Sequence, residues 1–171
     1  MNLTSPSQVK AWCIENDFHP NKTLGQNFLI DQNALKAIVD CGLEKVKVEG
    51  GERNVSVLEI GPGMGVLTEE MLKRGCRVTA IEKDPALAER LEKELKTKVE
   101  VEEWWRNLTL LTGDALDFVS STSDFNLSSF DCMISNLPYQ AGTRILLELV
   151  QARTIPVITA LVQTEVAERL A

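Results

Sequence analysis

The residues of this sequence best suited to chemistry are the four at positions 136–139, which read N-L-P-Y. An amino group attached to an aromatic ring is a weak nucleophile, because its lone pair is delocalised into the ring. The Asn136 side-chain oxygen and the carbonyl of Leu137 or Pro138 can hold the two protons of such a group and turn its lone pair toward an electrophile. Tyr139 offers a ring on which a base can stack. A rigid proline turn after a strand is the alternative interpretation.

A glycine-rich segment at residues 59–65, E-I-G-P-G-M-G, predicts a tight turn at which the backbone can approach a ligand closely. The dinucleotide-binding fingerprint G-x-G-x-x-G would need a glycine where Val66 stands, which weighs against an NAD site. The spacing of Gly61 and Gly63 resembles instead the first motif of S-adenosylmethionine-dependent methyltransferases. A structural turn without a ligand is the alternative.

Two acidic residues stand at the ends of the next two predicted strands. Glu82 ends the strand that follows the glycine-rich turn, where a carboxylate can accept hydrogen bonds from both hydroxyls of a ribose. Asp114 follows the third strand, where a carboxylate can accept from the exocyclic amino group of an adenine. Simpler interpretations remain open, namely an exposed strand-end carboxylate for Glu82 and a helix N-cap for Asp114.

The elements that must position these residues alternate along the chain. Strand–helix alternation predicts an α/β fold, a Rossmann-like, doubly wound parallel sheet with helices on both faces. Ligands of such sheets bind at the carboxyl ends of the strands, where all these motifs fall, so we expect one shared site. Strands are predicted at 55–60, 77–81, 108–112, 131–135 and 156–162, and helices at 66–74, 84–96 and 143–152 and from position 164 onward.

Two further helices are predicted before the sheet begins. Residues 5–8 have the pattern of a capping box with proline at the first helical position, which predicts a helix to about Asn16. Asp31 can cap a second helix, which Gly42 would end. We therefore divide a single domain, 1–171, into an N-terminal lid segment, 1–43, and a Rossmann-like core, 55–171, with a surface linker at 44–54 and a loop at 119–129.

The composition is that of a globular domain, with 44% hydrophobic and 25% charged residues. The N-terminus has no apolar signal region, and no apolar run approaches the roughly 18 residues of a membrane span, so we expect a soluble, cytoplasmic protein. The single histidine, His19, and four scattered cysteines predict no metal site and disfavour a Ser-His-Asp triad. The net charge of −7 weighs against nucleic-acid binding, which needs clustered Lys and Arg.

The run T-L-G-Q-N-F-L-I-D at residues 23–31, followed in order by E-I-G-P-G, I-E, G-D-A and N-L-P-Y, resembles the ribosomal RNA adenine N6,N6-dimethyltransferase family, which also holds the erythromycin-resistance methylases. The ending V-Q-T-E-V-A-E-R-L at 162–170 is similar as well. The resemblance implies S-adenosylmethionine as the cofactor and two adjacent adenines near the 3′ end of small-subunit ribosomal RNA as the target. It implies cofactor contacts from Gln26, Asn27, Leu29, Gly61, Gly63, Glu82, Asp114 and Asn136, and a target-adenine site formed by Asn136, Leu137, Pro138 and Tyr139.

The sequence departs from the family pattern in two places. Members carry a basic stretch before G-Q-N-F-L, whereas residues 19–22 here hold one firm charge. Members also have seven strands and a small helical domain that helps to dock RNA, whereas this chain ends after the fifth predicted strand. We therefore expect a truncated chain with C-terminal strands and the helical domain missing, which would leave strand five as an apolar edge. Such a chain could be inactive alone, and we expect the full-length protein to be monomeric and to act on the immature small ribosomal subunit.

Two alternatives to this function stay open. One is a related adenine methylase that acts on large-subunit ribosomal RNA and differs only in how RNA docks. The other is a non-catalytic RNA-binding factor in ribosome assembly, which would have no need of an intact N-L-P-Y at residues 136–139.

Overall fold

The computed structural model describes residues 3–20, 26–46, 54–97, 103–120 and 124–170. The strands are β1 (Ser56–Ile60), β2 (Arg77–Glu82), β3 (Leu108–Thr112), β4 (Cys132–Asn136) and β5 (Val157–Leu161). The α-helices are α1 (Pro6–Glu15), α2 (Gln32–Glu44), α3 (Val66–Lys73), α4 (Pro85–Thr97), α5 (Ala115–Val119), α6 (Gly142–Ala152) and α7 (Thr164–Leu170). Two short 3₁₀ helices span Glu103–Asn107 and Leu127–Ser129.

The five strands form one parallel sheet in the order β3-β2-β1-β4-β5. The chain therefore builds outward from β1 in one direction, through β2 and β3, and then returns to add β4 and β5 on the other side. Neighbouring β1 and β4 mark the point at which the strand order reverses, which is where open α/β sheets bind ligands. The predicted α/β fold with a parallel, doubly wound sheet is confirmed.

Alternate residues of each central strand enter two separate apolar cores, because successive side chains of a strand point to opposite faces. Val57 and Ile134 pack on one face, beneath α2, α3 and α4. Leu58 and Met133 pack on the other face, beneath α5 and α6. All four side chains are fully buried, which explains why the central strands read as nearly continuous apolar runs.

The predicted strands and the helices that follow them are confirmed with bounds that differ by at most two residues. Three short elements differ from the prediction: the two 3₁₀ helices, and α5, which begins directly after Asp114. Most of the predicted linker, 47–53, and part of the predicted loop, 121–123, lie outside the described residues. β5 pairs with β4 on one side, and no strand of the described part of the chain pairs with its other side.

The two N-terminal helices begin where predicted, but only one has the predicted cap. The Asp31 side chain accepts hydrogen bonds from the backbone N–H groups of Asn33 (2.7 Å) and Ala34 (3.0 Å), as expected of an N-cap. The capping box predicted at α1 is wrong, since Ser5 makes no side-chain cap bond. The start of α1 depends instead on Pro6, whose fixed φ suits the first helical position.

Gly42 does not end α2, which continues to Glu44. Its role is in packing: a Cβ at this position would lie 2.5 Å from the Cδ1 atom of Ile134, on β4. The missing side chain therefore lets α2 approach the sheet closely. The prediction of a glycine C-cap is wrong because tertiary packing, and not local backbone geometry, requires the glycine here.

We expect Gly42→Val to lower the free energy of unfolding by about 1–3 kcal/mol, because the added atoms overpack the contact between α2 and Ile134. Ala37→Val is the matched control, since Ala37 is exposed on the same helix and should cost less than about 1 kcal/mol through helix propensity alone. Urea unfolding followed by circular dichroism measures both. Equal losses in the two variants would contradict the packing role.

Candidate active site

A cleft opens at the carboxyl ends of β1, β2, β3 and β4, on the side where the sheet order reverses. β1 and β4 pair in register only through Val57 and Leu58. Beyond that point the buried hydroxyl of Ser135 accepts the backbone N–H of Ile60 at 2.8 Å, in place of a regular strand ladder. The Ser135 side chain therefore joins the two central strands near the base of the cleft.

The cleft brings together most of the residues that the sequence singled out. Leu29 lies in a smaller adjoining recess, which Asn27, Gly61, Gly63 and Asn136 also line. Leu137 is buried at 2% exposure, and Tyr139, which does not line the main cleft, is 43% exposed. The main cleft itself is lined by Gln26, Asn27, Gly61, Gly63, Glu82, Asp114, Asn136 and Pro138.

The glycine-rich turn after β1 has a backbone that side chains would strain. Gly61, Gly63 and Gly65 have φ values of 68°, 55° and 81°, in the left-handed region that favours glycine. The turn is fastened to β2 at two points: Gly61 N–H donates to the Ile81 carbonyl (2.9 Å) and Gly63 N–H to the Glu82 carboxylate (3.0 Å). The turn therefore presents its backbone to the cleft in one defined geometry.

Glu82 is a buried carboxylate, only 6% exposed, so its interpretation as an exposed strand-end group is wrong. One oxygen accepts the Gly63 N–H, and the other accepts the Asp84 N–H at 2.9 Å. Burial raises the pKa of the Glu82 carboxyl, while these backbone hydrogen bonds oppose the increase. Because a carboxylate has about four acceptor positions, both oxygens keep capacity for further donors in the cleft.

Asp114 has a structural role and also lines the cleft. Its Oδ1 accepts the Leu116 N–H at 3.0 Å, which makes it the N-cap of α5, and its Oδ2 accepts Lys83 Nζ at 2.6 Å. The hydrogen bond from Lys83 lowers the pKa of the Asp114 carboxyl. The helix-cap interpretation is therefore correct, and it does not exclude a ligand contact, since Asp114 and Lys83 both face the cleft.

Asn136 has an amide group whose orientation is set by the N-terminal part of the chain. Its Nδ2 donates to the Asn27 carbonyl at 2.8 Å, which places Oδ1 as the end available to accept. The Asn27 side chain in turn donates from Nδ2 to the Tyr139 hydroxyl. One residue of the G-Q-N-F-L run thus holds both polar side chains of N-L-P-Y in position.

The two candidate carbonyls of N-L-P-Y have different surroundings. The Pro138 carbonyl accepts the Gly142 N–H at 2.7 Å, in the first turn of α6. The Leu137 N–H donates to the Leu161 carbonyl at 3.1 Å, which anchors this peptide to the end of β5. A carbonyl already used by a helix is the poorer acceptor for a ligand, so the geometry favours Leu137 as the second acceptor.

Comparison with known proteins decides the family. Residues 17–171 match the family described as ribosomal RNA adenine dimethylase. The chain belongs to this family. The resemblance drawn from the sequence motifs is therefore confirmed at the level of the family.

The chain is similar to several named members of this family and to solved structures. It is 42% identical to ribosomal RNA small subunit methyltransferase A of Deinococcus radiodurans, over 98% of this chain and 51% of the relative. Among solved structures, the 23S rRNA methyltransferase ErmE matches with a TM-score of 0.61 and 26% identity, over 83% of this chain and 50% of that one. A dimethyladenosine transferase from Plasmodium falciparum matches with a TM-score of 0.60 and 26% identity, over 82% of this chain and 45% of that one. The chain spans about half the length of the curated relatives that it matches.

The residues that the structure describes contain no group of three or more His, Cys, Asp or Glu side chains that could hold a metal ion. None of their helices is long and apolar enough to cross a membrane.

Glu59 is a cleft residue of this family member that the sequence reasoning did not assign to the site. It is 1% exposed, lines the smaller recess, and accepts the Thr68 hydroxyl at 2.6 Å. Burial raises the pKa of the Glu59 carboxyl to about 8, although the hydrogen bond from Thr68 opposes the increase. An acid in the middle of the apolar run V-L-E-I was the signal available in the sequence.

We expect the free energy of unfolding to fall as the pH rises from about 4.5 to about 8, because over this range Glu59 loses its proton in the unfolded state and keeps it in the folded state. At about 1.4 kcal/mol per pKa unit, the loss is on the order of 3–5 kcal/mol. Glu59→Gln, which is neutral at every pH, should abolish that part of the slope. Chemical unfolding at several pH values measures it, with exposed Glu89→Gln as the control. Parallel pH profiles for the parent and Glu59→Gln would show that Glu59 titrates normally.

Proposed function

We propose that this chain is the cofactor-binding and catalytic part of an S-adenosylmethionine-dependent enzyme that dimethylates the N6 amino groups of two adjacent adenines near the 3′ end of small-subunit ribosomal RNA. The observation that carries the proposal is the orientation of the Asn136 amide. Its Nδ2 donates to the Asn27 carbonyl, which leaves Oδ1 as the available acceptor. Membership of the adenine dimethylase family and the 42% identity to a small subunit methyltransferase support this choice of RNA.

The cleft residues fit a nucleoside cofactor. Glu82 would accept from the ribose hydroxyls through the acceptor positions that Gly63 and Asp84 leave unused. The positive φ angles of Gly61 and Gly63 let the backbone approach the cofactor without a Cβ. Asp114 would accept from the adenine amino group, while Gln26, Asn27 and Leu29 would cover the cofactor from the N-terminal side. When bound, S-adenosylmethionine supplies an electrophilic methyl group on its sulfonium.

The target adenine would be held at the rim of the same cleft. Asn136 Oδ1 and the Leu137 carbonyl would accept the two protons of its amino group and turn the nitrogen lone pair toward the methyl group. The Tyr139 ring, 43% exposed, would stack against the base after it leaves its own helix. A methylated amino group in its cationic form is acidic enough to lose a proton to water, so the site needs no strong general base.

Two alternatives remain to be separated by experiment. The similarity to ErmE, at 26% identity and a TM-score of 0.61, favours a large-subunit adenine methylase as the second candidate. The same cleft would serve both enzymes, because they differ in RNA docking. A non-catalytic assembly factor is disfavoured, because such a protein has no need of the oriented Asn136 amide.

The direct test is transfer of labelled methyl groups from S-adenosylmethionine to undermethylated ribosomal subunits, followed by nucleoside analysis of the RNA. The 171-residue chain and the longest form that the gene encodes should both be assayed, because a net charge of −7 is unfavourable for phosphate contacts. N6,N6-dimethyladenosine in small-subunit RNA is the expected product. Transfer to large-subunit RNA alone would favour the ErmE-like function, and no transfer by a form with bound cofactor would favour the assembly factor.

Tyr139→Ala should lower kcat/KM for methyl transfer by roughly 10–100-fold, because stacking contributes about 1–3 kcal/mol per base. Cofactor affinity should stay within about twofold of the parent, because Tyr139 does not line the main cleft. Tyr139→Phe is the matched variant: it keeps the ring and removes only the hydroxyl that Asn27 contacts. Loss of cofactor binding in Tyr139→Ala, or equal losses of transfer in the Ala and Phe variants, would rule out the stacking role.

A further inference from the structure

Arg90, on α4, has an unusual environment for a charged side chain. It is 11% exposed, and only Nη2 has a hydrogen bond, donated to Glu94 at 2.6 Å. Its Nε and Nη1 atoms are buried without a hydrogen-bond partner among the described residues. Its Cζ atom lies 4.0 Å from the centre of the Trp12 ring, on α1. The face of this indole therefore stabilises a guanidinium that has few hydrogen bonds.

Trp12 is the first of three aromatic side chains in a continuous row. Its ring centre is 5.7 Å from that of Phe18, which is 6.2 Å from that of Phe28. Phe28 packs directly on the glycine-rich turn, since a Cβ at Gly63 would lie 3.3 Å from Phe28 Cε1. The aromatic row thus connects Arg90 with the glycine-rich turn that lines the cleft.

The segment that ends this row is also attached to α4 at a second point. Gln26 Nε2 donates to Asp84 Oδ2 at 2.9 Å, and Asp84 Oδ1 caps α4 by accepting the Ala86 N–H at 3.0 Å. Residues 26–28 therefore lie between α4 on one side and Asn136 on the other. The contact between Arg90 and Trp12 fixes α1 to the same helix that anchors this segment.

We propose that Arg90 and Trp12 are positioning residues that hold residues 26–28 over the glycine-rich turn and so slow the release of the cofactor. This inference rests on the proposed function. Neither residue lines the cleft. Both act through Phe18 on Phe28, which packs on the glycine-rich turn at Gly63.

The test measures binding and release of S-adenosylmethionine by the full-length protein, using calorimetry and stopped-flow fluorescence. Arg90→Met and Trp12→Leu should each raise the dissociation rate about tenfold, as expected for loss of a buried cation–π contact, and leave the association rate within about twofold. The double variant should be no worse than Trp12→Leu alone, because Trp12→Leu already removes the contact that Arg90→Met removes. Arg90→Lys should lie between the parent and Arg90→Met, since lysine keeps the charge and loses the planar stacking. If Arg90→Met does not fold, the dissociation rate of Arg90→Lys tests the proposal in its place.

Arg74→Met is the matched control. Arg74 is also a half-buried arginine with carboxylate partners, Asp40 at 2.6 Å and Glu70 at 2.9 Å, but it has no contact with the aromatic row. A purely structural effect would lower the melting temperature in both Arg90 and Arg74 variants without raising the dissociation rate. Unchanged dissociation rates in Arg90→Met, Arg90→Lys and Trp12→Leu, with a parent that binds, would overturn the inference. A parent that binds no S-adenosylmethionine would overturn the proposed function itself.

Discussion

The buried carboxylate of Glu82 joins the segments from which the cleft is built. One of its oxygens holds the glycine-rich turn through Gly63 N–H, and the other holds the start of α4 through Asp84 N–H. Without this acceptor, two backbone donors in a poorly hydrated region would lose their partner, at roughly 1–3 kcal/mol each. The Glu82 carboxylate therefore fixes the geometry of the glycine-rich turn and of Asp84. Asp84 in turn caps α4 and contacts Gln26.

A second buried acid, Glu59, lies close enough to Glu82 for the Glu82 charge to raise the pKa of Glu59. The Glu82 charge contributes to the raised pKa of Glu59, together with the larger effect of burial. A protonated Glu59 adds no charge beside Glu82 and still accepts the Thr68 hydroxyl. Two ionised carboxylates beneath one turn would repel each other in a region that screens charge weakly. The raised pKa of Glu59 therefore limits the charge repulsion between these two carboxyl groups.

The features that the sequence predicted well are those signalled locally. Apolar runs marked the strands, and polar residues at their ends marked Glu82, Asp114 and Asn136, because parallel strands bring their carboxyl ends to one edge. The error at Gly42 arose because packing between distant segments decides the structure there. Gly42 is required by Ile134, a residue of β4, and not by the end of its own helix. Arg90 and Trp12 meet across the fold, and neither residue type at its position indicates the other.

Asn27 contacts both halves of the site, and this has a consequence for how repeated reactions would proceed. Its carbonyl orients Asn136, its side chain reaches Tyr139, and its neighbour Phe28 packs on the glycine-rich turn. Dimethylation requires spent cofactor to be replaced between successive transfers. If residues 26–28 are displaced during that exchange, Asn136 and Tyr139 lose their contacts with Asn27 at the same time. The base would then be bound less tightly. Cofactor exchange and positioning of the base would therefore be coupled through Asn27.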